Sequence, residues 1–226
     1  MKFSTANTSL SIYLITILSI TFNSHAYSFA MNDLPATNNL VKAGEKYITL
    51  LGHQVNVGEQ APAFKVVDKN FAPVTLDDFS GQTLLISVVP SLDTGVCSIQ
   101  TKRFNEAAEK LPENITVLVI SNDLPFAQKR FCDAEKVDAV QVLSDSVWRD
   151  FGANYGLLIK DMGLLTRAIF VVDEQGKIVY KELVENISQH PDYGKALSKV
   201  KYTAPVIVLD ENNLSNDQVT DEKIKN

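Results

Sequence analysis

Leu84-Leu85-Ile86-Ser87-Val88-Val89 runs straight into Pro90-Ser91-Leu92-Asp93-Thr94-Gly95-Val96-Cys97, and the architecture turns on this junction. The first stretch is apolar with no polar alternation, which suits a central strand covered on both faces. The second leads into a segment where Ile99, Phe104, Ala107, Ala108 and Leu111 recur near helical spacing until Pro112 closes it. A further unalternating run, Ile115 to Ile120, completes a strand–helix–strand unit. Downstream, Asn122 or Asp123 caps a helix with Pro125 in its first turn and Phe126, Phe131 and Cys132 along it, followed by a short strand from Val140 to Leu143. Ser146 to Tyr155 reads as helical. Arg167 to Val172 and Lys177 to Val184 read as strands joined through Asp173-Glu174-Gln175-Gly176, a hairpin signal, before a last helix from about Asp192 to Val200. Upstream, Lys46 to Val57 reads as a hairpin about Gly52-His53, with Phe64 to Asp68 and Thr75 to Phe79 as short strand or turn pieces. Alternating strands and helices that finish in a hairpin predict an α/β fold with a mixed central sheet and helices on both faces.

Composition agrees with one ordinary globular core. The 226 residues are 45% hydrophobic and 21% charged, with 10 Gly and 8 Pro, which excludes collagen-like or wholly disordered protein. A formal charge of −6 lacks the basic excess that binding nucleic acid by counterion release requires. Cys97, Cys132 and the scattered His25, His53 and His190 show none of the close ligand spacing of a tetrahedral zinc site, so the metal reading is poor.

The N-terminus reads as an address. Leu10 to Phe22 is apolar on all faces and too short to span a bilayer comfortably, and Ser24 and Ala26 fit the −3 and −1 places of a cleavage site. The expected division is a signal peptide over 1–26, a linker over 27–45, a folded domain over 46–200 and a polar extension over 201–226. Export, with the periplasm as destination and the cytoplasm as the alternative, leaves no stable membrane association once the signal is removed. In an oxidising compartment the two cysteines form a single structural disulfide, remain unrelated buried thiols, or work as a redox couple. A structural bridge closing so large a loop contributes about 4 kcal/mol.

Cys97 stands where a buried strand passes into a helix, the place where α/β folds put chemistry. A thiol in a helix's first turn faces unpaired N–H groups and the positive end of the dipole, which favour its ionised form. Thr94, three residues earlier, either sets its hydroxyl beside the sulfur or caps the helix. Pro90 either stiffens the loop or simply ends the strand, and Cys97 itself is either reactive or a small buried hydrophobe.

The stretch Pro90-Ser91-Leu92-Asp93-Thr94-Gly95-Val96-Cys97, with Phe104-Asn105 behind it, closely resembles the active-site segment of peroxiredoxins of the thiol peroxidase subfamily, whose motif is Pro-x-x-x-Thr/Ser-x-x-Cys. Asp123-Leu124-Pro125-Phe126-Ala127-Gln128-Lys129-Arg130-Phe131-Cys132 resembles that subfamily's resolving-cysteine helix, and the likeness extends from about Lys46 to Val200. The resemblance implies a thioredoxin-like fold with an N-terminal β-hairpin and a peroxidase that reduces hydrogen peroxide and alkyl hydroperoxides without metal or cofactor. It implies Cys97 as the peroxidatic nucleophile, Cys132 as the residue that resolves its sulfenic acid into an intrachain Cys97–Cys132 disulfide, and a dithiol protein that reopens the bond. Arg167, on a late strand, fits the family arginine that holds thiolate and peroxide, and Thr94 and Pro90 fit the rest of the motif. A homodimer is implied as well. The signal-like N-terminus and the polar extension depart from the pattern, so thioredoxin as donor gives way to an extracytoplasmic thioredoxin-like protein. The competing reading is a non-catalytic exported thioredoxin-like binding domain with a structural disulfide. A disulfide oxidoreductase lacks its Cys-x-x-Cys, and a hydrolase its Gly-x-Ser-x-Gly elbow.

Overall fold

The computed structural model describes residues 33–203. The stretch Leu84 to Val89 lies at the centre: strand β5 (Thr83–Val88) is buried at every position and pairs parallel with β6 (Ile115–Ser121) on one side. On its other side it pairs antiparallel with β9 (Ala168–Val172). Strands β3 (Lys65–Val67), β4 (Pro73–Thr75), β7 (Gln141–Ser144) and β10 (Ile178–Leu183) complete a mixed sheet in the order β10-β9-β5-β6-β7-β3-β4.

Both faces of this sheet are covered, which is why its strands show no polar alternation. Leu84, Ile86 and Val88 point into one apolar cluster with Leu118, Ile120 and Phe170, and α3 (Asp150–Asn154) adds Phe151 to it. Leu85 and Val89 point into the opposite cluster with Val117, Val119 and Ile169. That second face is closed by Cys97 and Phe104 of α1 (Gly95–Ala108), by Phe131 and Cys132 of α2 (Pro125–Glu135), and by Ala196 and Val200 of α4 (Tyr193–Thr203). The expected mixed sheet between helices is the observed one.

The N-terminal hairpin lies earlier in the chain than the sequence suggests. Strand β1 (Ala36–Ala43) pairs antiparallel with β2 (Lys46–Leu51), and β2 pairs with β8 (Leu158–Ile159) to form a separate small sheet. The turn is at Gly44, whose φ of +64° favours glycine, so residues 36–43 belong to the fold and not to a linker over 27–45. Gly52-His53 is not the turn: a Cβ on Gly52 would collide with the Ala153 carbonyl, and the His53 N–H donates to that carbonyl at 2.8 Å. Glycine is needed there because two backbones approach closely. Three further boundaries differ by a few residues. The helix expected over Ser146 to Tyr155 begins at Asp150, the last helix runs from Tyr193 to Thr203, and the strand expected at Val140 begins at Gln141. The proposed signal segment and the apolar stretch after Lys201 lie outside the described residues.

The late start of α3 follows from Asp145. This fully buried carboxylate accepts the Phe151 and Gly152 N–H groups at 3.0 and 2.8 Å and so supplies the helix's N-terminal partners from the preceding turn. Burial carries its pKa from 3.8 up to about 7, against the pull of those two backbone hydrogen bonds. Between these values the folded protein keeps a proton that the unfolded chain has lost. The stability this provides is complete below about pH 4 and is lost as pH rises through 7. Asp145→Asn removes that dependence, so between pH 5 and pH 8 the parent's thermal midpoint falls further than the variant's. Parallel pH profiles would contradict the assignment.

Candidate active site

Three loops at the C-terminal ends of the parallel strands build the site. Asp123, just after β6, accepts the Ser91 hydroxyl and the Leu92 N–H, both at 2.7 Å, and the Ser121 hydroxyl at 2.8 Å. It therefore clamps the Pro90–Thr94 loop. It does not cap α2, whose N-cap position is Leu124 and carries no side-chain cap. Asn122 and Arg149 both donate to the Gly163 carbonyl, at 2.8 and 3.1 Å, and tie two more loops to the first.

From this clamped loop α1 begins, and Cys97 is its third residue, fully buried. The Arg167 Nη2 group donates to Cys97 Sγ at 3.1 Å. Arg167 is itself only 1% exposed and follows Thr166 at the entry to β9. Its Nη1 donates to Gln100 Oε1 at 2.6 Å, and its Nε and Nη2 both donate to the Ile187 carbonyl, at 2.9 and 2.8 Å. Among the described residues no carboxylate lies within ion-pair distance of the guanidinium. A buried cation without an anion is costly, and of its hydrogen-bond partners Cys97, Gln100 and Ile187 the one able to become an anion is the Cys97 sulfur.

Gln100 belongs to no motif in the sequence. It is buried one helical turn after Cys97 and donates from Nε2 to the Ser87 hydroxyl of β5 at 2.8 Å, which turns its oxygen toward Arg167. The available signal was its spacing: a residue three positions after Cys97 shares its helix face. Ser87, the one polar residue within the run Leu84 to Val89, is explained by the same bond.

The other residues expected at the site have distinct places. Pro90 is buried immediately after β5 and starts the loop. Thr94 occupies the N-cap position of α1, but its hydroxyl is spent on the Ser91 carbonyl at 3.0 Å, neither capping the helix nor bonding the Cys97 sulfur. Cys132 is half-buried on α2, on the same face of the sheet as Cys97, within one apolar cluster. The two cysteines are separate thiols in this structure. Burial, reinforced by Asp133, pushes the Cys132 thiol pKa up, only partly offset by Lys69 and Lys129. A cleft of about 640 Å³ opens beside Cys132, floored by Val137, Val140, Val142 and Leu143 and flanked by Gln128.

Comparison with known proteins identifies the family of the chain. Residues 56–197 match the Redoxin family. The chain is 52% identical over 151 residues to a thiol peroxidase of Oceanobacillus iheyensis, covering 67% of this chain and 92% of that protein. It is 47% identical over 154 residues to a thiol peroxidase of Bacillus subtilis, covering 68% and 92% respectively. Among solved structures, a peroxiredoxin-like protein from Aquifex aeolicus superposes with a TM-score of 0.69 at 39% identity, covering 74% of this chain and 98% of that one. A mixed sheet flanked by helices and preceded by a β-hairpin sheet is thus the thioredoxin-like redoxin fold. On sequence and fold together, the chain belongs to the thiol peroxidase family of peroxiredoxins.

Proposed function

We propose that this thiol peroxidase reduces hydrogen peroxide and alkyl hydroperoxides with Cys97 as the attacking thiolate and Cys132 as the resolving thiol. The observation that carries the reading is the Arg167–Cys97 contact at 3.1 Å, made by a buried guanidinium that has no carboxylate partner among the described residues. The positive end of α1 adds to the same field. The Cys97 thiolate attacks one peroxide oxygen, the O–O bond breaks, and the leaving alkoxide or hydroxide takes a proton and departs as alcohol or water. Cys97 is left as sulfenic acid. The Cys132 sulfur then attacks it, forming the S–S bond and expelling water.

Closing that bond needs the two Cα atoms at about 4.4–6.8 Å, and the proposed cycle brings the separate thiols together by movement of the helices that carry them. The first turn of α1 has no side-chain cap, whereas its far end is tied to α2 and the loop after it. Lys102 meets Glu135 at 2.7 Å, and Asn105 accepts the Asp138 and Ala139 N–H groups. Local unwinding at the Cys97 end is the movement these ties permit. A thioredoxin-like dithiol then reopens the disulfide, entering by the cleft beside Cys132. The apolar run before Ser24 and Ala26 supports export to the periplasm, which makes this donor an extracytoplasmic one.

A homodimer is part of the reading. Leu124 and Phe126 are 58% and 62% exposed, and Val147, Trp148 and Met162 lie exposed on the adjoining loops that Asn122 and Arg149 hold together. A second copy covers such an apolar rim without requiring charge complementarity. Sedimentation equilibrium of the parent gives the mass of two chains, and Phe126→Glu shifts it toward one. A parent that sediments as a single chain would refute the dimer.

Stopped-flow mixing of reduced protein with one equivalent of hydrogen peroxide or cumene hydroperoxide, followed by Trp148 fluorescence and thiol loss, tests the chemistry. The expected result is rapid loss of both thiols in the parent, none in Cys97→Ser, and a trapped sulfenic acid in Cys132→Ser. A parent reacting no faster than a free thiol would leave the non-catalytic binding domain as the better account. Arg167→Lys keeps the charge but loses the planar fork, so peroxide attack slows by at least about tenfold. An unchanged second-order rate constant would remove Arg167 from the mechanism.

A further inference from the structure

The carbonyl that holds Arg167 is carried by a strap, residues 184–192, between β10 and α4. This strap is fastened to the N-terminal hairpin as well as to the sheet. The Ile187 N–H donates to the Lys42 carbonyl of β1 at 3.0 Å, and the Lys42 N–H donates back to the Glu185 carbonyl at 2.7 Å. The Asn186 amide donates to the Gly44 carbonyl at the hairpin turn, at 3.1 Å, while its oxygen accepts the Ser188 N–H. The Ile187 side chain packs into the hairpin's own apolar cluster, formed by Val41, Leu50 and Ile159.

Ile187 thus touches two parts of the molecule with different groups. Its side chain and N–H engage the hairpin, and its carbonyl oxygen receives two of the guanidinium's hydrogen bonds. A guanidinium is planar, so fixing Nε and one Nη fixes the direction of all its remaining N–H bonds. With Nε and Nη2 anchored on Ile187, the rest of Nη2 points at Cys97 Sγ and Nη1 points at Gln100.

We propose that Ile187 is a positioning residue for Arg167, and that the N-terminal β-hairpin supports peroxide attack by holding the Ile187 carbonyl in place. This rests on Cys97 being the attacking thiolate. The hairpin acts on the sulfur through the strap. Loosening the strap lets the guanidinium turn away from the sulfur, weakening thiolate stabilisation without removing any charge from the site.

The test uses the full chain in a Cys132→Ser background, where Cys97 is the remaining thiol, and compares Ile187→Ala, Ile187→Val and Asn186→Ala. The first reading is the pH profile of Cys97 alkylation by iodoacetamide. The second is the rate constant with hydrogen peroxide, and thermal unfolding is followed beside both. His190, Tyr193 and Arg103, which lie around the start of α4 near Cys97, are the same in every variant. The expected result for Ile187→Ala is an alkylation profile displaced to higher pH, with a rate at pH 6 lower by about threefold or more, the worth of one modest hydrogen bond. The peroxide rate falls in step, Ile187→Val restores both, and Asn186→Ala, which cuts a separate tie to the hairpin, shifts them in the same direction. An Ile187→Ala protein that is less stable yet keeps the parent's alkylation profile would overturn the proposal. Should Ile187→Ala not fold, a parental profile in Asn186→Ala overturns it instead. Failure of the peroxidase assignment looks different: no variant, parent included, reacts rapidly with peroxide, while the alkylation profiles still differ.

Discussion

Moving a guanidinium out of water costs several kcal/mol unless its charge and its N–H groups all find partners, and Arg167 is almost completely buried. Much of the molecule is arranged around that demand. Its acceptors come from three separate places: the Gln100 amide on α1, the Ile187 carbonyl on the strap, and the Cys97 sulfur. None of these is a carboxylate, and this is the chemically important point. An aspartate or glutamate in place of Gln100 would neutralise the cation and leave the sulfur without a counter-ion. A neutral acceptor satisfies the N–H and leaves the charge available.

The sheet explains how such distant residues meet. Strands β5, β6 and β7 run parallel, so the loops that follow them emerge at one end, and α1 starts there with its positive pole beside the sulfur. Asp123 holds the first of these loops with two hydrogen bonds, from the Ser91 hydroxyl and the Leu92 N–H, and is itself held by a third from Ser121 at the end of β6. Antiparallel β9 brings Arg167 to the same end from the opposite chain direction, because its first residue, Ala168, pairs with Val88, the last residue of β5. Ser87 serves both levels: it is a buried strand residue and it also accepts the Gln100 amide that orients the site.

What could be read from the sequence and what could not divides along physical lines. The run Leu84 to Val89 announces its strand because burial on both faces leaves no room for polar residues, and Cys97 is legible because its position at a strand–helix junction coincides with a specific motif. Arg167 is legible through the family pattern, not through spacing or composition. Strand β1 was read as linker because it is an edge strand: Val41 is its one fully buried residue, and Asn39, with φ at +62°, interrupts the alternation inside a bulge. Asp123 and Asp145 both suit helix caps by composition, yet Asp123 turns back to the Ser91 loop and only Asp145 bonds to helix N–H groups. The Ile187 contribution was hidden for a deeper reason. A backbone carbonyl belongs to every residue type, so no side-chain pattern reveals which one receives an arginine.

The two thiols differ in ways that order the proposed chemistry. Cys97 is fully buried and faces a cation, whereas Cys132 is half-buried beside a cleft, with desolvation and Asp133 both opposing its ionisation. In thiol–disulfide exchange the sulfur with the better-stabilised anion leaves more readily, and attack falls on the sulfur that can be reached. If an incoming donor thiolate attacked the sulfur of Cys97, it would have to enter the apolar cluster and expel a thiolate at Cys132, where the surroundings disfavour one. Attack at Cys132 from the cleft meets neither obstacle. The Cys97 sulfur so released returns to Arg167 as the first turn of α1 rewinds, so in the proposed cycle the cation that favours attack on peroxide also favours the reduced state. In the proposed cycle one buried guanidinium thus serves both ends, and the neutral partners around it leave its charge free to do so.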